Sequence, residues 1–259
     1  PWIARKTFAG PLPPFAELVP ADAIARLRPC GAVVVLASAP LHGAPRLLPA
    51  DLPWAYGSQR PASSGGPSPS TPRAVVVADV EPPASLGLPR VGAWAPSTGV
   101  PSVALTGAAA TPTRVLAELA DATEVEVHAH GLVDLAVSEA SYLALSPDER
   151  GSFALTAGAV REATLRGAPV VVLAACSVTR TVEHHHQPWS LPMAFVAAGA
   201  RVVFGSAAPV PDAAAPTFFR AVLARIRAGE EPAVALRNER VAWLARDPAS
   251  WVADVLAFH

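Results

Sequence analysis

Pro169-Val170-Val171-Val172-Leu173-Ala174-Ala175-Cys176 is the stretch on which the reading of this chain turns. Its unbroken aliphatic run, rich in β-branched residues, suits a strand buried on both faces of a parallel sheet. The run ends on a thiol. Working outward, a strand over 124–129 leads upstream into His130-Gly131, and Arg201-Val202-Val203-Phe204-Gly205-Ser206 is the next strand downstream. Helices fit between them. Thr111-Pro112 caps and opens one running through Ala120, with proline at the first helical position. A second fits 156–166, ended by Gly167, and a third fits 190–198, closed by Gly199. Helix and strand thus alternate three times. This rhythm predicts an α/β fold: right-handed crossovers, a mostly parallel sheet, and helices on both faces.

Farther out the pattern loosens. Residues 1–30 read as an extended, proline-punctuated lead-in and a short amphipathic helix over 21–28. Val33-Val34-Val35-Leu36 suits a short buried strand, and residues 73–79 suit another. Between them, Pro61-Ala62-Ser63-Ser64-Gly65-Gly66-Pro67-Ser68-Pro69-Ser70 can bury little, so residues 60–72 read as a flexible surface loop. Residues 81–101 are proline-punctuated and read as irregular. After Ser206, helices fit 213–228, 232–245 and 249–258.

The bulk composition bounds the function. With 259 residues, 51% of them hydrophobic, the chain can build one large domain or two fused small ones. Its 20 basic and 21 acidic side chains leave a net charge of −1, which argues against direct nucleic-acid binding and against anionic lipid. Its apolar runs fall short of the roughly 20 residues that cross a bilayer, so no membrane span is expected. Two cysteines, Cys30 and Cys176, make no disulfide framework. No signal peptide is legible, and a reducing cytoplasm is the expected compartment. The chain opens on Pro1 with no methionine, as a piece of a longer protein would.

In open α/β sheets, reactive groups gather at the carboxyl ends of strands. Three strands here end in loaded residues: His130-Gly131, Cys176-Ser177, and Ser206 leading to Asp212. A free cysteine has a pKa of about 8.5, so a nucleophilic one needs a neighbouring base or cation. An imidazole supplies this and then protonates the leaving amine. The backbone N–H groups of Gly131 and Cys176 are positioned in sequence to donate to an oxyanion, and glycine permits the close approach. Taken singly, a cysteine or histidine at a strand end is more often structural. Their joint placement is what points to catalysis, and Cys30, without a polar partner in sequence, reads as structural. His128 shares a strand face with Glu124 and Glu126 and is expected to lie beneath His130. His184-His185-His186 invites a metal reading. However, three consecutive histidines cannot converge on one ion in regular structure, and although Glu183 could add one ligand, no Cys or acidic residue is spaced to complete a tetrahedral site. A mobile loop beside the nucleophile is the expected role. No cofactor is indicated.

At this point the residues resemble a known family, the CHAT domain, a caspase-like peptidase related to caspases, gingipains and separase and often found after tetratricopeptide repeats. The resemblance rests on Val127-His128-Ala129-His130-Gly131, Leu173-Ala174-Ala175-Cys176, Ala194-Phe195-Val196-Ala197-Ala198-Gly199-Ala200, Pro209-Val210-Pro211-Asp212 and the late Ala235-Leu236-Arg237, in that order. Weaker matches are Leu105-Thr106-Gly107-Ala108-Ala109-Ala110-Thr111 and Pro40-Leu41-His42-Gly43-Ala44-Pro45. It implies a caspase-like three-layer sandwich: a lead-in over 1–30, a degenerate subdomain over 31–110 and a catalytic subdomain over 111–259. It also implies a dyad of His130 as base and Cys176 as nucleophile, cutting protein or peptide substrates. Asp212 matches an acidic position that, in separase-like relatives, faces a basic P1 side chain, which would give arginine specificity through a charge-assisted fork. A helix N-cap is the competing role for Asp212. Clan relatives bind peptide as an added strand along the segment matching Ser206, Ala207, Ala208 and Pro209. Departures touch specificity: Ala208 stands where the family carries tryptophan, Ser177 where it often carries glutamate, and 180–188 replaces a glycine-rich stretch.

Three functions compete. The first is an arginine-directed cysteine endopeptidase controlled by an N-terminal repeat domain or an activating partner. The second is a latent caspase-like scaffold. The third, a hydrolase of esterase or amidase type, needs a Gly-x-Ser/Cys-x-Gly elbow and a base after the nucleophile. The sequence around Cys176 has neither, which disfavours it.

Overall fold

The computed structural model describes residues 18–39, 41–58, 71–92, 94, 100–134, 137–184 and 187–259. Most of the lead-in, Pro40, most of the expected Pro/Ser/Gly loop, and His185 and His186 lie outside the described residues. Eight strands form one sheet: β1 (Val33–Val35), β2 (Trp54–Tyr56), β3 (Ala74–Ala78), β4 (Ser102–Thr106), β5 (Glu124–His128), β9 (Val170–Ala174), β12 (Val202–Ser206) and β13 (Val255–Phe258). Their spatial order is β1-β2-β13-β12-β9-β5-β3-β4. Every neighbouring pair is parallel except β12 and β13. The sheet is therefore two parallel blocks facing opposite ways, joined at that one antiparallel seam. A small sheet of β6 (His130–Leu132), β7 (Tyr142–Ala144) and β8 (Ala154–Thr156) grows from the end of β5, and β10 (Val182–His184) pairs with β11 (Gln187–Trp189).

Helices cover both faces, as the alternation predicts. They are α1 (Ala21–Leu27), α2 (Pro112–Leu119), α3 (Ala157–Glu162), α4 (Leu191–Ala198), α5 (Ala215–Arg227) and α6 (Pro232–Leu244). The period-two pleat sorts each central strand between two cores. Val125, Val127, Val171 and Leu173 join Val115 and Leu119 of α2, Val160 of α3 and Phe195 of α4. Val170, Val172, Val202 and Phe204 join Phe218 and Phe219 of α5 and Leu236 of α6. Each such side chain contributes roughly 1.5–3 kcal/mol by leaving water. The helix starts follow their sequence signals: the hydroxyls of Thr111, Thr156 and Ser190 accept from the backbone N–H groups of Arg114, Ala159 and Met193. Gly199 closes α4 in the left-handed conformation, φ 113°.

Several expectations need correction. Residues 249–258 are not a helix: a 3-10 turn over Trp251–Asp254 leads into β13, whose four residues are all buried. The apolar run Val255-Leu256-Ala257-Phe258 completes ladders on both sides, and that pairing overrides helical propensity. The helix expected over 156–166 stops at Glu162. Gly167 does not cap it; a β-carbon there would lie 1.9 Å from the Ala122 carbonyl oxygen, so glycine is required for chain to pass chain. The strand over 33–36 is not buried but forms the sheet edge, with Val34 52% and Leu36 60% exposed. In the large sheet β2 and β4 are further strands that the sequence reading does not expect, as are the small sheet β6–β8 and the β10–β11 pair. The four strands from residues 31–110 lie two at each edge of the sheet.

Candidate active site

The parallel register of β5 and β9 brings the loaded ends together. His128 pairs with Ala174, so His130 and Cys176 each stand two residues past the last matched pair, on strands roughly 4.8 Å apart. Gly131 sits against the nucleophile's backbone: a β-carbon there would meet the Cys176 carbonyl oxygen at 2.8 Å and Val178 Cγ1 at 2.6 Å. β9 itself ends at Ala174, short of the expected Cys176. Ser177 then takes φ 56°, the left-handed region that non-glycine residues seldom enter, and the chain turns sharply just beyond the thiol.

His130 and Cys176 share no hydrogen bond. Instead His130 Nε2 lies 2.7 Å from the Pro89 carbonyl oxygen. A carbonyl only accepts, so Nε2 carries the hydrogen and Nδ1 is left as the basic nitrogen. Cys176 Sγ accepts from the Val210 N–H at 3.4 Å. Both side chains are half-buried.

Beneath this lies a ladder of polar groups on one face of β5. Glu124 forms a two-pronged pair with Arg227 of α5. Burial pushes the Glu124 carboxyl up, and Arg227 works against this. Trp94 Nε1 donates to Glu126 at 2.9 Å, and the Trp94 ring lies 4.7 Å from that of His128. His128, 2% exposed, meets Asp212 through Nε2···Oδ1 at 3.3 Å. Burial holds the His128 imidazole below its ordinary range, against the upward pull of Asp212. It is therefore neutral near pH 7 and donates through Nε2.

Asp212 does not cap a helix. α5 starts at Ala215 with Ala214 at its N-cap, and no side chain caps it. Asp212 Oδ2 accepts instead from Gly92 N at 3.1 Å, and its side chain stays 52% exposed. A carboxylate has about four acceptor positions, so the exposed side retains capacity. Pro89, Gly92 and Trp94 belong to one strap, which thus holds the His130 ring, Asp212 and Glu126. Sequence reasoning missed this strap because its grip on His130 and Asp212 comes from backbone atoms, which leave no side-chain signature. Only Trp94, an aromatic in a stretch of small residues, offered a signal.

The segment expected to receive peptide is largely self-satisfied. Ser206 is fully buried, and its hydroxyl accepts from Ala208 N at 3.1 Å. Ala207 N donates to the Asp254 carbonyl, Pro209 has no N–H, and Val210 N is on the sulfur. On the other side, Gly43 packs so tightly that a β-carbon would lie 2.2 Å from the Thr179 carbonyl oxygen, and His42 Nδ1 lies 3.3 Å from Thr181 Oγ1. The turn at 41–44 thereby clamps the loop after Cys176. Of the triple-histidine run only His184 is described; it ends β10. Among the described residues, no three His, Cys, Asp or Glu side chains are grouped to hold a metal.

The CHAT domain family model matches residues 72–258, from just before β3 to the end of β13. The chain belongs to the CHAT domain family. CHAT domains are a caspase-like peptidase family, and the mixed α/β fold with its large, mostly parallel sheet agrees with that class. No curated protein matches this CHAT domain. Among its described residues no helix is long and apolar enough to cross a membrane.

Proposed function

We propose that this CHAT domain is a cysteine endopeptidase in which His130 and Cys176 form the dyad. The observation that carries the reading is the juxtaposition of the two strand ends, with Pro89 holding His130 Nε2 and so leaving Nδ1 to take a proton. In the reaction, Nδ1 removes the Cys176 proton and the sulfur attacks the scissile carbonyl carbon. The tetrahedral oxyanion accepts from the N–H groups of Gly131 and Cys176. The C–N bond then breaks, the amine leaves with the proton held on His130, and water hydrolyses the thioester by the same path in reverse. Asp212 would receive a basic P1 side chain, with arginine favoured because its fork spans both carboxylate oxygens. In this reading residues 31–110 support the catalytic part, 111–259, within a caspase-like sandwich, in the cytoplasm and under the control of a partner or a preceding repeat domain.

The missing His130–Cys176 hydrogen bond and the spent N–H groups of Ala207 and Ala208 favour a second state, a latent one. Peptide docking there needs the Ser206–Ala208 bond to open, and a lasting lock would make the domain a scaffold. Fluorogenic peptides varied at P1 separate the readings, tested on wild type, Cys176→Ala and Asp212→Ala. Cleavage after Arg that Cys176→Ala abolishes, with the basic preference lost in Asp212→Ala, supports the peptidase. Absence of cleavage together with no labelling of Cys176 by an arginyl electrophile supports the scaffold.

A further inference from the structure

A pocket lies away from the dyad, on the far side of the antiparallel seam. It is a cavity of about 360 Å³, within the usual range for small-molecule sites, between α1, the loop after Arg46 and the end of α6. Ile24, Leu47, Leu48 and Leu244 give it apolar walls, and Trp54 and Arg240 are among the other residues that line it. Two of the lining side chains hold buried donors with nothing to bond: Trp54 Nε1 and Arg240 Nε. Arg240 is only 2% exposed, and its one hydrogen-bond acceptor among the described residues is the Val255 carbonyl oxygen, at 2.6 Å from Nη2. A buried guanidinium ordinarily has a carboxylate in direct contact, because desolvation alone is strongly unfavourable. Here burial drags the Arg240 pKa down to about 10, with only a Coulombic pull from Asp254 against it.

Asp254 is moreover already engaged. Both its oxygens are held by Arg46, which also lines the cavity, at 2.8 and 3.1 Å. Two guanidiniums therefore face one carboxylate, and one positive charge is left over. Apolar walls, unfilled donors, no lining acid and a surplus of one positive charge define the missing partner. We propose that this cavity binds a small apolar carboxylate, a monoanion whose head meets Arg240 and the Trp54 N–H and whose body lies on the leucines. A dianion such as a phosphate monoester would leave a negative charge buried without a counter-ion.

The test is calorimetric titration of the full chain with octanoate, 3-phenylpropanoate and indole-3-propanoate, each beside its neutral primary amide. At least one carboxylate is expected to bind with a Kd below about 1 mM, and its amide roughly tenfold or more weakly, the usual gain for a charge-assisted bond. Leu244→Trp, which fills the cavity, abolishes the binding. Arg240→Met keeps the stem but removes the charge and erases the preference for carboxylate over amide. Should that variant fail to fold, Trp54→Phe removes only the N–H and weakens the carboxylate severalfold. The proposal is overturned if no carboxylate binds at about 5 mM, several times the expected upper Kd of about 1 mM, if acid and amide bind alike, or if Leu244→Trp leaves binding unchanged. None of these readouts depends on Cys176, so the peptidase reading stands or falls separately.

Discussion

Two residues beside Cys176 carry more of the site than their identity suggests. Gly131 leaves no room for a β-carbon, because the Cys176 carbonyl oxygen and Val178 would lie within 2.8 Å of it. Gly131→Ala must therefore push the two strand ends apart by a fraction of an ångström. Misplacement on that scale costs catalysis about 100-fold. The expectation is that loss in kcat/KM for a cleaved peptide, with the melting temperature shifted by only a few degrees; unchanged turnover would mean that the strand ends are not in contact where chemistry occurs. Ser177, at φ 56°, stands in a region that costs a non-glycine residue about 1 kcal/mol. Ser177→Gly should raise the urea-unfolding free energy by roughly 0.5–1 kcal/mol. The dyad candidates could be read from the sequence, since a thiol and an imidazole at the ends of apolar strands are side-chain facts. The partners Pro89, Gly92 and Val210 could not, because they act through main-chain atoms that any residue carries. Asp212 was legible as an acid but not as the acceptor from His128 and Gly92, because that contact depends on how the strap folds back.

At the scale of elements, two tight crossings fix the loops around the site. Gly167 lets the turn before β9 pass over the end of α2, with the Ala122 carbonyl 1.9 Å from where a β-carbon would sit. Gly167→Ala should cost roughly 1–3 kcal/mol in chemical denaturation, the usual penalty of overpacking. The turn at 41–44 crosses the loop after Cys176, and His42 is buried there between Tyr56 and Phe258. Burial lowers its pKa to about 4. The unfolded chain takes up a proton on this histidine near pH 6.5 while the folded one does not until about pH 4. Stability therefore falls as pH drops through that window and levels off below it, with His128 acting in the same direction. Linkage puts the His42 share at about 2 kcal/mol between pH 7.5 and 5. Urea midpoints of wild type and His42→Phe at the two pH values check it: the variant should lose correspondingly less. Helix starts were the most legible elements, because Thr111, Thr156 and Ser190 cap them with their own hydroxyls. The C-terminal strand was the least legible, since an apolar four-residue run reads the same in a helix and in a strand.

The whole molecule depends on one seam. β13 is antiparallel to β12 and parallel to β2, so within the sheet it alone joins the strands holding the candidate site to β1 and β2. Phe258 is fully buried there, stacked on Tyr56 with ring centroids 5.6 Å apart. Phe258→Ala should cost about 3–5 kcal/mol, as large aromatic truncations in cores do. The transitions followed by tryptophan fluorescence and by far-ultraviolet circular dichroism should stay coincident, because both blocks share the joint. Two separated transitions would show that each block folds on its own, uncoupled from the joint. The class of fold was readable from the alternation between residues 111 and 206. The seam was not, because it pairs the last described strand with Tyr56, about 200 residues earlier in the chain, and no local pattern reports so distant a partner.

A ribosome releases this chain from its amino end, and the joint is the last described strand to emerge. β1 and β2 can pair with each other early, but they must wait with an open edge until residues 255–258 are free. A growing chain therefore makes the strands of the site and the far pair before the strand that joins them, and the sheet of the enzyme we propose closes only when residues 255–258 arrive.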